Sequence, residues 1–129
     1  MVHKRNGSRP GALGFGALAL CAGLLAACGS SPASGQASSP AAKATCQDVA
    51  AVLSDGPDPG ADPVGYAQAQ ILPLRQIHPS DKVLHSAIDN LASAYQQFSS
   101  TNGNKAAKQA VSKASKTINT LCPGTGAGV

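Results

Sequence analysis

Side chains able to do acid–base, nucleophilic or metal chemistry are few in this chain, and most stand apart. There are three histidines. His3 lies in a basic N-terminal stretch, and His78 precedes Pro79 at a predicted helix end. His85 stands four residues from Asp81 and four from Asp89, a spacing that puts an Asp-His-Asp row on one face of a helix. Such a row suits weak pairing on a solvated face; a pH-tuned or metal-binding patch is its more specialised use. Every acid is an aspartate, so the commonest carboxylate for proton transfer, glutamate, is missing. Asp55, Asp58 and Asp62 share one loop and could face a cation, but the spacing is not that of an EF-hand. Pro57 and Pro59 between them point to turn construction. No Gly-x-Ser-x-Gly elbow, His-Glu-x-x-His pair or phosphate-cradling glycine loop occurs. The pattern predicts a protein that is not an enzyme, with no resident cofactor or metal.

Binding chemistry has two candidate carriers. The segment 62–77 is the most distinctive in composition, with Tyr66 near its start and Gln68, Arg75 and Gln76 on its polar face. Tyrosine and arginine supply much of the anchoring energy at protein interfaces. Lys105, Lys108, Lys113 and Lys116 form a basic face near the C-terminus that could meet an anionic envelope component. The plainer reading of both is an amphipathic helix with a solvated side. Net charge excludes one partner class. The formal charge is +4, but Lys4, Arg5 and Arg9 lie in the first ten residues. From residue 28 onward seven bases face six acids, which is too even for nucleic-acid binding.

That basic start belongs to a three-part pattern. Met1–Pro10 is cationic, Gly11–Leu25 is an uncharged apolar run, and Ala26-Ala27 offers small side chains for cleavage. The apolar run is shorter than the roughly 20 residues a spanning helix needs. Leu25-Ala26-Ala27-Cys28 resembles the lipobox of bacterial lipoproteins. The resemblance implies cleavage between Ala27 and Cys28 and lipidation of the Cys28 thiol. It also implies attachment to the extracytoplasmic face of the cell membrane. Cys21 fits less well, because Leu20 precedes it where the family has a small residue. Two or more acyl chains anchor stably, at about 0.8 kcal/mol per buried CH₂.

The elements that must carry any binding surface follow. Residues 28–44 read as the lipidated cysteine and a flexible Ser/Ala/Gly/Pro tether, with a mean span of roughly 20–25 Å. Tether and composition are similar to those of small actinobacterial lipoproteins. Residues 45–122 carry the only sustained apolar periodicity. A first helix is expected from Thr45, with Asp48 completing a variant capping box and Cys46, Val49, Ala50 and Leu53 on one face. A second starts at Asp62-Pro63 with a stripe of Val64, Ala67, Ile71 and Leu74, and is either kinked or broken at Pro73. The third, about 80–99, carries the best stripe: Val83, Leu84, Ala87, Ile88, Leu91, Ala94, Tyr95 and Phe98. After Ser100-Thr101-Asn102-Gly103, the fourth, about 104–121, buries Ala107, Val111, Ala114, Ile118 and Leu121. The residues after 122 read as a disordered tail, 123–129.

Four helices joined by short turns predict an all-α, up-down four-helix bundle. With Cys28 assigned to lipid and Cys21 to the signal, Cys46 and Cys122 remain as partners. Export permits the bond, and the antiparallel topology brings both to one end of the bundle. The expected product is a tethered, disulfide-closed, non-catalytic binding or interaction module at the cell envelope. Its partners would be the membrane, through the lipid on Cys28, and an envelope protein or anionic wall component. Two alternatives are a carrier of a small hydrophobic or haem-like ligand, with Tyr66, Tyr95, His78 and His85 as candidate axial ligands, and a purely structural envelope protein.

Overall fold

The computed structural model describes residues 39–128. The signal segment 1–27, the Ala27–Cys28 junction, Cys28 and most of the tether lie outside the described residues. Within them the fold is all-helical, with α1 (Pro40–Leu53), α2 (Pro63–Arg75), α3 (Lys82–Ser100) and α4 (Lys105–Leu121) and no strand. It is an up-down four-helix bundle in which α3 packs against both α2 and α4, and α1 packs on α2.

Each helix starts where a side-chain oxygen accepts an otherwise unpaired backbone N–H. Ser39 accepts from Ala42, Asp62 from Gly65, Asp81 from Val83 and Leu84, and Asn104 from Ala107. The first of these corrects the expected boundary. Helix α1 opens at Pro40, five residues before Thr45, so the last residues assigned to the tether are helical. Ser39-Pro40 is a cap followed by proline at the first helical position, the same signal as Asp62-Pro63. Thr45 is not a cap; its hydroxyl donates back to the Ala41 carbonyl at 3.1 Å.

Pro73 does not divide α2. The helix runs through it and stops at Arg75, so the donor missing from Pro73 falls in the last turn. The buried face of α2 is also rotated from the expected stripe. Tyr66, Ala67, Gln70 and Leu74 are buried, whereas Val64 and Ile71 are only partly covered. Two polar side chains turn inward because each finds a backbone acceptor. The Tyr66 hydroxyl donates to Leu53 O at 2.8 Å, and the Gln70 amide donates to Asp55 O at 2.6 Å. Both bonds tie α2 to the end of α1 and the loop after it.

The stripe of α3 is buried as expected from Leu84 to Phe98, except that Val83 stands 65% exposed on the first turn. The helix ends in a Schellman motif: Asn102 adopts φ 50°, Asn102 N–H donates to Ser99 O, and Gly103 N–H donates to Phe98 O at 2.8 Å. Gly103 itself has φ +67°, and a Cβ there would lie 2.8 Å from Phe98 Cζ. Glycine is therefore required for both conformation and space.

Cys46 and Cys122 are joined by a disulfide with Cα atoms 5.3 Å apart at a sequence separation of 76. It pins α1 to the end of α4. Beyond it, the chain expected to be disordered folds back on the bundle as far as it is described. Thr125 and Ala127 are buried. The Asn119 amide oxygen accepts from the Thr125 hydroxyl and from Ala127 N–H, and its amide nitrogen donates to Ala127 O. Gly124 and Gly126, both at positive φ, allow the reversal.

Candidate functional site

The returning tail forms one wall of the cleft that carries the most informative geometry. Its volume is about 460 Å³. Phe98 and Val111 form the floor, Pro59 and Pro63 of the loop before α2 form one side, and Lys108 and Lys116 of α4 stand at the rim. The cleft's size falls within the range of small-molecule sites, as do those of the other grooves on the bundle. Lys108 and Lys116 are eight residues apart on one helix, about 12 Å along its axis. Among the described residues no carboxylate and no imidazole lines the cleft.

Ser115 also lines it. This residue is 4% exposed, and its hydroxyl oxygen is buried without a hydrogen-bond partner. It is the only such side-chain atom among the described residues. Helix α4 puts it there because the buried face runs Ala107, Val111, Ser115, Ile118, in steps of four, four and three. Sequence reading placed Ala114 in this stripe instead, and Ala114 is only partly buried. A hydroxyl at an apolar stripe position was the available signal. Leaving a buried hydroxyl unpaired costs on the order of 1–3 kcal/mol, so its retention calls for an explanation.

The expected docking residues divide. Tyr66 is a correction: at 4% exposure, with its hydroxyl on Leu53 O, it belongs to the core and offers no docking surface. Gln68, Arg75 and Gln76 are exposed. Arg75 donates to Gln96 Oε1 at 2.6 Å, bracing α2 on α3, and Gln76 is the C-cap of α2. None of the three lines the cleft. All four lysines of α4 are exposed, but only Lys108 and Lys116 border it. Lys113 faces a second groove, between α3 and α4, with Asn90 and Gln97, and Lys105 borders neither.

The aspartates and histidines sort by the bonds they make. Asp55, Asp58 and Asp62 each accept from a nearby backbone N–H, which is turn building. Asp81 caps α3 through Val83 and Leu84, which takes it out of the Asp-His-Asp row. What is left is His85 Nε2 at 3.5 Å from Asp89 Oδ2, with the His78 ring edge-on to His85 at 5.9 Å. Among the described residues no three His, Cys, Asp or Glu side chains converge as a metal site. Sequence spacing could not bring in His78, because it sits on the loop between helices.

Tyr66 and Tyr95 meet edge-to-face at the centre of the bundle, with ring centroids 6.0 Å apart. Burial pushes the Tyr66 phenol above its ordinary value. Burial, reinforced by the neighbouring Tyr66, pushes Tyr95 much further up. Both are neutral core residues. Comparison with protein-family models, curated proteins and solved structures finds no match for this chain.

Proposed function

We propose that this chain is an exported, lipid-anchored, non-catalytic binding module displayed at the cell envelope. Support for export and anchoring comes from Leu25-Ala26-Ala27-Cys28 at the end of the apolar run. The observation that carries the proposal is the Cys46–Cys122 bond, which uses the two cysteines left over once Cys21 goes with the signal and Cys28 takes lipid. A disulfide closing a small helical core suits an oxidising compartment. No helix among the described residues is long and apolar enough to cross a membrane, so attachment on this reading falls to Cys28. The tether and the bundle then present α4 and the cleft beside it to envelope partners, a protein or an anionic wall component. The non-catalytic reading rests on the sequence, in which no Gly-x-Ser-x-Gly elbow, His-Glu-x-x-His pair or phosphate-cradling glycine loop occurs.

A second reading, a carrier of a small ligand, is favoured by the cleft itself. Its haem form loses support, because Tyr66 and Tyr95 are buried in the core. The test is crosslinking of the native lipoprotein in its membrane, followed by mass spectrometry of what is captured. A reproducible envelope partner with crosslinks on α4, lost from the membrane fraction in Cys28→Ala, is the expected result. A chain that fractionates identically with and without Cys28, and captures nothing, would overturn the proposal.

A further inference from the structure

We infer that the cleft beside α4 binds a small amphiphilic oxyanion, a carboxylate or phosphate ester on an apolar body, recognised through Ser115. The inference rests on the binding-module reading and names a ligand class for it. Four features of the cleft combine. Ser115 lines the cleft, and its hydroxyl is buried without a partner in the protein, so a ligand oxygen that reaches it would satisfy it. A hydroxyl both donates and accepts, so it suits an oxyanion or the ester oxygen next to one. Phe98 and Val111 give an apolar floor, and Pro59 and Pro63 an apolar side. Among the described residues of the lining the charged groups are Lys108 and Lys116, and both are cationic.

Charge and shape together narrow the class. Among the described residues a cation would meet two ammonium groups and no carboxylate. A purely inorganic anion would leave the apolar floor unused and, held by rim lysines alone, would gain little in water. A neutral apolar molecule would bury the Ser115 hydroxyl without necessarily pairing it. An anion with an apolar body uses every part of the lining. The C-terminal segment takes part, since Ala127 and Gly128 close one side, Asn119 holding Ala127 and the Tyr95 hydroxyl donating to Gly128 O.

The test uses the full chain purified from membranes into lipid nanodiscs, photolabelled with octanoate or octyl phosphate carrying a diazirine. Labelled residues are mapped by mass spectrometry, so partition into the bilayer does not confuse the result. Labelling at Val111, Ser112, Ser115 or Pro59–Pro63 is expected, competed by the unlabelled anions better than by octanol and not by octylamine. Relative competition by octanoate and octyl phosphate tells carboxylate from phosphate ester. Ser115→Ala should weaken binding about five- to tenfold without lowering the melting temperature, since an unpaired hydroxyl is removed. Lys116→Gln, at an exposed position, should weaken it about two- to fivefold and more at low salt. Equal competition by octanol, equal competition by inorganic phosphate, or no labelling of the cleft would each overturn the inference. The binding-module reading would survive all three if crosslinking still captured an envelope partner.

Discussion

Opening the Cys46–Cys122 bond, by reduction or by Cys122→Ser, should remove most of the margin that keeps this bundle folded. The bond closes a loop spanning 76 residues of sequence separation. In the chain-entropy treatment such a closure restricts the unfolded chain by about 4–5 kcal/mol. A domain of this size has a total stability of roughly 5–13 kcal/mol, so the loss is a third of it at the least. At about 4–8 °C per kcal/mol, the melting temperature should fall by roughly 20 °C or more. Position sharpens the expectation. Helix α1 fully buries only Ala42, Val49 and Leu53, with Cys46 and Val52 partly covered, and is further held by the disulfide and the Tyr66–Leu53 hydrogen bond. With the bond open, α1 amides should exchange with solvent well before those of α3, which buries eight side chains and packs on two neighbours. Circular dichroism melts with and without reductant, followed by hydrogen exchange, read both effects. A melting shift of only a few degrees would refute the reasoning, as would α1 protection unchanged by reduction.

Three further expectations follow from the same geometry. Tyr66→Phe removes the donor to Leu53 O and leaves that carbonyl short of a partner, at a cost of about 1–2 kcal/mol in denaturant titrations. Both tyrosine phenols titrate above the ordinary value of about 10, so the folded state keeps protons that the unfolded chain gives up. Their stabilisation is complete below that value and lost as pH rises beyond it. Phenolate absorbance should therefore appear together with alkaline unfolding, not before it. Gly103→Ala forces a side chain into positive φ against Phe98 and should cost about 1–3 kcal/mol in a thermal melt.

Much of this bundle was legible because its two best helices are strongly patterned. The stripes of α3 and α4 follow from the spacing of Leu84 to Phe98 and of Ala107 to Ile118. The disulfide followed from counting cysteines once Cys21 and Cys28 were set aside. What escaped the sequence depended on partners distant in the chain. Tyr66 and Gln70 turn inward only because Leu53 O and Asp55 O wait for them across a loop. The early start of α1 was hidden by Ala-rich residues that resemble a tether in composition yet favour a helix once Ser39-Pro40 caps them. Asn119 holds the tail through hydrogen bonds with Thr125 and Ala127 that no periodicity announces. For the candidate site, the lysines were visible as a charged face, but which of them border a cleft depends on the loop and tail packed beside α4. Ser115 was visible only as a polar interruption of an apolar stripe.

Anchoring through Cys28 is the claim on which display at the envelope depends, and the mass of one peptide tests it. The native protein is extracted from membranes and digested with trypsin, and the N-terminal peptide ending at Lys43 is identified. On this account it begins at Cys28 and carries the mass of a diacylglyceryl group and an acyl chain on its amine. A peptide that runs unbroken through Ala27–Cys28, or one with a free Cys28 thiol on protein from the soluble fraction, would contradict it.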